Sequence, residues 1–214
     1  MTAGVRQLLG LVVASVSFLC SVIICALPQW RVTKNQDSRI NYIREFSEGL
    51  WKFCETYSLN LVHCLRYESP YASITQDLEV ARVLIVIAII VGFTGILLGV
   101  AGSKFINFVP DEMKRSKMAM ASGVVLFIAG LFVLIPVCWT TSTISVNFDN
   151  HLSPDSSGSP DSSGSPDFSG FPGSPGTLKS ELGASVYIGW ITSGLWFLGG
   201  GLLCSSFLCR DGTD

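Results

Sequence analysis

Four long apolar stretches separate the polar segments of this chain, at 8–27, 83–102, 118–139 and 184–208, and none contains Lys, Arg, Asp or Glu. A helix rises about 1.5 Å per residue, so about 20 residues cross a hydrocarbon core of about 30 Å. Each stretch is long enough, and a helix that is apolar all round over this length belongs in lipid rather than in a soluble core. The pattern predicts four membrane-spanning helices. Arg6 followed by an apolar run also fits a cleaved signal peptide. The run is longer than the usual signal core, however, and no small-x-small cleavage site stands in Ala26-Leu27-Pro28-Gln29, so a retained helix is the preferred reading.

The spans divide the rest into an N-terminus 1–7, a first loop 28–82, a middle loop 103–117, a second large loop 140–183 and a tail 209–214. Basic residues resist translocation, and six of the 14 (Arg6, Lys104, Lys114, Arg115, Lys117 and Arg210) fall in the short segments. That density predicts both termini in the cytosol and both large loops outside. Composition agrees, with 49% apolar and 14% charged residues. The net charge of −2 says little about partners, because acidic and basic residues cancel in the first outer loop.

Within 28–82, apolar residues alternate at Trp30 and Val32 and again at Trp51 and Phe53, with β-branched and aromatic residues from Ile40 to Phe46. Alternation of this kind predicts short antiparallel strands. The second outer loop carries a repeat, SPDSSG from Ser153 and Ser159 and SPDFSG from Ser165, trailing into FPGSPG. Ser, Pro, Gly and Asp bury too little apolar area to offset ordering entropy, so 153–176 is expected to be disordered. Asp155, Asp161 and Asp167 are too sparse for a calcium site, which needs clustered oxygens.

Glycines at helix-contact spacing (Gly92, Gly95, Gly99 and Gly102; Gly123 and Gly130; Gly194 and Gly199–Gly201) predict close packing of the four helices. The spans lack the buried charge that marks an ion path or proton relay through a bundle. His63 and His151 have no metal-ligand constellation around them, and no hydroxyl has a convincing base. No catalysis, no cofactor, no metal and no nucleic-acid partner are expected.

Of the seven cysteines, Cys54 and Cys64 alone lie in the first outer loop. An oxidising compartment favours their pairing over two free thiols. Cys204 and Cys209, at the inner end of the fourth span, are candidates for S-palmitoylation or simple packing cysteines.

Trp30, then Gly49-Leu50-Trp51, then Cys54 and Cys64 ahead of the second span form a pattern that resembles the claudin signature within the wider peripheral myelin protein superfamily. The likeness extends to Pro28-Gln29-Trp30-Arg31-Val32, to Asp77-Leu78 with Ala81-Arg82, to Ile135-Pro136-Val137 as the end of the third span, and to Glu181-Leu182-Gly183-Ala184 opening the fourth. Physically, Trp30 and Trp51 suit the outer headgroup level, a Gly-Leu-Trp turn beside a disulfide would pin a strand edge there, and Arg82 could snorkel or bond the carbonyls of that turn.

The resemblance implies a left-handed four-helix bundle capped by a small antiparallel sheet from both outer loops. It implies a plasma-membrane tight-junction protein that polymerises with itself and other claudins, in cis and across cells, embedded in membrane lipid, to form a paracellular barrier or ion-selective channel. It makes Glu55 a candidate cation-attracting pore charge, with Lys52 and Arg66 acting against it, and Phe148 a candidate contact with the opposing cell. Asp149 replaces a frequent second aromatic there. The tail ends in Asp214, where an apolar residue would serve zonula occludens PDZ scaffolds, so weak or absent scaffold binding is expected. The alternative is an auxiliary subunit of an ion channel or receptor, which shares the fold. Such relatives usually carry longer tails or a glycosylation acceptor, and this chain has no Asn-x-Ser/Thr.

Overall fold

A computed structural model describes residues 3–37, 42–57, 61–67, 75–103, 112–152 and 177–211. Four helices, α1 (Ala3–Ala26), α2 (Gln76–Ala101), α3 (Glu112–Leu152) and α4 (Ala184–Asp211), stand beneath five strands, β1 (Arg31–Asp37), β2 (Tyr42–Glu48), β3 (Lys52–Tyr57), β4 (Leu61–Arg66) and β5 (Thr177–Leu182). The helical stretches long and apolar enough to cross a membrane are Gly4–Ala26, Gln76–Ala101, Lys117–Ser145 and Ala184–Ser205.

The buried positions of α2 are Leu78, Ala81, Ile85, Ala88, Gly92, Gly95 and Gly99, at alternating steps of three and four. In α1 the same rhythm runs Gln7, Gly10, Ala14, Ser17, Ser21 and Ile24. A 3.5-residue repeat on a 3.6-residue helix keeps one seam inward only if the helices coil left-handedly. The large residues between the seams, such as Leu19, Ile90 and Leu131, point outward, as lipid requires. α1 packs on α2 and α4, and α3 packs on both of those, closing a four-membered ring.

Lipid offers no partner to a polar group, so hydrogen bonds inside the ring matter. Trp196, fully buried, donates its indole N–H to Ser21 Oγ at 3.0 Å. Its ring fills the space beside Gly92, where a Cβ would stand 2.5 Å from the indole. At one end Gln7 donates to the Gly102 carbonyl at 3.1 Å, and deeper in the ring Ser122 donates to the Gly95 carbonyl at 2.7 Å. All four helices are thus tied to a neighbour by a side-chain hydrogen bond in the bundle interior.

α3 corrects the expectation that its helix closes at Ile135-Pro136-Val137, near the end of the 118–139 stretch: it passes through Pro136 and continues to Leu152. Beyond the proline, Thr140, Thr141, Ser142, Thr143 and Ser145 each donate a hydroxyl to the carbonyl four residues back, at 2.8–3.0 Å. Each hydroxyl is a second donor to a carbonyl of the helix itself, which pairs the hydroxyl without an outside partner. The 118–139 apolar run ends, but the helix does not.

The sheet is antiparallel throughout, in the order β4-β3-β2-β1-β5. Its last strand comes from the second large loop: Arg31 faces Leu182 and Val32 faces Glu181. Lys34 Nζ donates to Glu181 Oε2 at 2.9 Å, joining the two loops by an ion pair. The bond and charge of Glu181 hold the Lys34 ammonium above its usual pKa. The segment 153–176, expected to be disordered, and the residue Asp214 lie outside the described residues.

Candidate functional site

The sheet meets the bundle at the turn Gly49-Leu50-Trp51, which joins β2 to β3. Gly49 N–H donates to the Lys52 carbonyl at 2.9 Å, closing the turn. The turn lies so close to the end of α1 that a Cβ at Gly49 would stand 2.4 Å from Pro28 Cα, so only glycine fits. Leu50 then inserts fully into the core, among a cluster that includes Trp30, Leu78 and Val186.

Trp30 corrects the reading that placed it at the lipid headgroups. It is fully buried, and its indole donates at 2.9 Å to the Ile24 carbonyl. That carbonyl belongs to the last turn of α1, where helix carbonyls lack intrahelical partners. Trp30 is therefore a cap and a core residue: its backbone N–H also reaches the Glu48 carbonyl at 2.8 Å, holding β1 to β2.

Trp51 is the ring that remains 38% exposed. Its indole N–H lies 3.4 Å from Cys25 Sγ, in the final turns of α1, which sets Trp51 beside the end of that helix. On its face sits Arg82, with the guanidinium 4.6 Å from the ring centroid. Arg82 Nε donates to the Leu50 carbonyl at 2.7 Å. Tyr67, just after β4, donates its hydroxyl to the Gly49 carbonyl at 2.9 Å, and its ring also lies beside Arg82. Two of the turn's carbonyls thus have donors from outside the turn.

Tyr67, Arg31 and Glu48 were not singled out from the sequence. Burial, followed by the nearby Glu48 charge, pushes the Tyr67 hydroxyl well above its usual pKa, so it remains a donor. Glu48 is also pushed up, by burial first, against the lowering effect of Arg31. Their ion pair is 3.9 Å long, and Glu48 Oε2 and Arg31 Nε have no hydrogen-bond partner among the described residues. The signal for Glu48 in the sequence is its place immediately before Gly49; for Tyr67 it is its place three residues after Cys64.

Cys54 and Cys64 are joined as a disulfide between directly paired positions of β3 and β4. Lys52 pairs with Arg66 and shares the disulfide's face, because side chains two apart on a strand point the same way. Glu55 is one residue on and belongs to the opposite face, opposite His63 on β4 and Phe46 on β2. That face also carries Phe53, whose ring stacks with Phe46 at 5.8 Å between centroids. Sequence proximity had set Lys52 and Arg66 against Glu55; the pleat separates them across the sheet.

Cys204 Sγ packs towards α3, where a Cβ at Gly123 would stand 2.5 Å from it. Phe148 falls on α3 and Cys209 on α4, with side chains outside the described residues. Among the described residues, no three His, Cys, Asp or Glu side chains gather as a metal site.

The sequence pattern of the PMP-22/EMP/MP20/Claudin family matches residues 4–163. Claudin-4 of Homo sapiens is 39% identical over 208 residues, covering 97% of this chain and 88% of that protein. Claudin-like protein ZF-A89 of Danio rerio is 39% identical over 198 residues, covering 92% of this chain and 85% of that protein. Claudin-6 of Homo sapiens is 36% identical over 212 residues, covering 99% and 86% respectively. With the Gly49-Leu50-Trp51 turn, the Cys54–Cys64 bridge and four apolar spans in their places, the chain belongs to the PMP-22/EMP/MP20/Claudin family and is claudin-like within it.

Proposed function

We propose that this chain works as a claudin-like tight-junction protein of the plasma membrane, associating with itself and other claudins to form a paracellular barrier or ion-selective channel and to hold cells together. Both termini lie in the cytosol in this reading, and the sheet stands outside. The observation that carries it is the mounting of the sheet: Trp30, Leu50 and Arg82 fix strands from the first outer loop onto α1 and α2, and β5 joins the second loop to them. A surface held this way is suited to form part of a wall between cells, because fixed groups on it keep their position when ions pass.

Glu55 is the proposed pore charge. On its own face it stands near Phe46, Phe53 and His63, while Lys52 and Arg66 lie on the other face. Its carboxylate would favour cations over a Debye length of about 8 Å in physiological salt. Phe148 is proposed as a contact with the opposing cell, and Cys204 and Cys209 as sites of acylation. The pore role is tested by sodium chloride dilution potentials across an epithelial layer expressing wild type or Glu55→Gln. Loss of cation preference in the variant supports the role, and an unchanged preference removes it.

A further inference from the structure

Lys52 and Arg66 occupy directly opposed positions on β3 and β4, and the next pair on the same face is the Cys54–Cys64 disulfide, which fixes their register. Opposed side chains on one face of a sheet have Cβ atoms about 5 Å apart, and two like charges so placed weaken the pairing. Both side chains are exposed, and among the described residues no carboxylate forms an ion pair with either. The repulsion is uncompensated within the described structure.

The level of this pair in the membrane says what kind of anion it meets. Lys52 directly follows Trp51, and Trp51 reaches Cys25 in the final turns of α1. Partly exposed tryptophan belongs at the headgroup layer. One strand residue advances about 3.4 Å, so Lys52 and its partner Arg66 rise from the lipid boundary into the layer of phosphates. Arg82, the third cation nearby, is engaged by the Leu50 carbonyl and the Trp51 ring.

We propose that Lys52 and Arg66 form a clamp for the phosphate of an outer-leaflet phospholipid, seated at the base of the sheet on the disulfide's face. The phosphate oxygens accept charge-assisted hydrogen bonds from the ammonium and the guanidinium, relieving the repulsion between them. The acyl chains then run down the outer surface of the bundle beside Trp51. A bound lipid at this point anchors the edge strand β4 and its neighbour β3 to the membrane, as Trp30 and Arg82 anchor the turn beneath them.

The test is titration of the detergent-solubilised full chain with dioleoylphosphatidylcholine, counting retained lipid by native mass spectrometry, against dioleoylglycerol, which has the same chains and no phosphate. Wild type should hold the phospholipid about tenfold more tightly than Lys52→Gln/Arg66→Gln, with Lys52→Arg unaffected and dioleoylglycerol retained equally by both. Equal phospholipid affinity in wild type and double variant would overturn the proposal. So would displacement by inorganic phosphate at equal concentration, which would mark a free-anion site, or loss of self-association in lipid-free micelles, which would mark the carboxylate of a second copy as the occupant. Because both side chains are exposed and their opposed like charges weaken the pairing, the double variant should melt at or slightly above the wild-type temperature, so a binding loss without a fall in melting temperature is read as loss of the clamp.

Discussion

Arg82 on α2 donates its Nε hydrogen to the carbonyl oxygen of Leu50 at 2.7 Å, across a sequence separation of 32. The same guanidinium lies over Trp51 and beside Tyr67, so one planar cation meets a backbone acceptor and two rings at the root of the sheet. Lysine has the charge but not the plane or the side-on donor. Arg82→Lys should destabilise the outer sheet by about 2 kcal/mol, the order expected when a partly buried acceptor loses a charged donor. Thermal unfolding in detergent, followed by tryptophan fluorescence, checks this; a melting point equal to wild type would remove Arg82 from its place as the clasp.

Gly49→Ala should cost more than its size suggests. The neighbour of the added methyl is the backbone of Leu27 and Pro28, which cannot swing aside as a side chain would. The turn must move, and with it Leu50, whose loss from a core costs about 2–5 kcal/mol by analogy with large-to-small substitutions. The expected outcome is retention inside the cell, read by surface biotinylation, while Gly4→Ala, with nothing within 4 Å of its added Cβ, is delivered normally.

Removing the disulfide with Cys54→Ser/Cys64→Ser should lower stability by about 3 kcal/mol, since the bridge closes a short loop of separation 10. The effect should be matched by adding reductant to wild type and should vanish when reductant is added to the variant. Melting curves in the two conditions decide it.

The bundle was open to inspection in the sequence because lipid imposes one rule, the exclusion of charge, over about 20 residues at a time. The sheet was less so. Trp30 reads equally well as an interfacial ring or a core residue, and what decides between them is the free carbonyl of Ile24, a feature of the folded helix end. The length of α3 is not legible from hydropathy, because hydropathy marks the apolar run and the helix continues beyond it through Thr140 and Thr141, whose hydroxyls bond carbonyls of the helix itself. The opposition of Glu55 to Lys52 and Arg66 followed from counting residues one strand at a time; the register of β3 against β4 puts them on different faces. Tyr67 and Glu48 stand beside the motif in the sequence, after Cys64 and before Gly49, but the carbonyl and the charge that each meets are set only by the fold.

Stability should depend on Glu48 in mildly acid solution. Burial raises its pKa in the folded protein above the usual carboxylate value, so the folded state takes up a proton more readily than the unfolded one. Its contribution to stability is fully present below the unfolded pKa and is lost as pH rises through the raised folded value. The melting temperature of the wild type should therefore fall as pH is raised from about 4 toward neutrality, relative to Glu48→Gln, which lacks the titrating group. Parallel profiles for the two proteins would contradict this.

Whether this chain builds tight-junction contacts is measured directly by its expression in epithelial cells that lack junction strands, with imaging of cell borders and transepithelial resistance read together. Enrichment at cell contacts and a changed resistance are expected, both lost in Gly49→Ala. Full surface delivery with neither enrichment at contacts nor any change in resistance would contradict the junctional role.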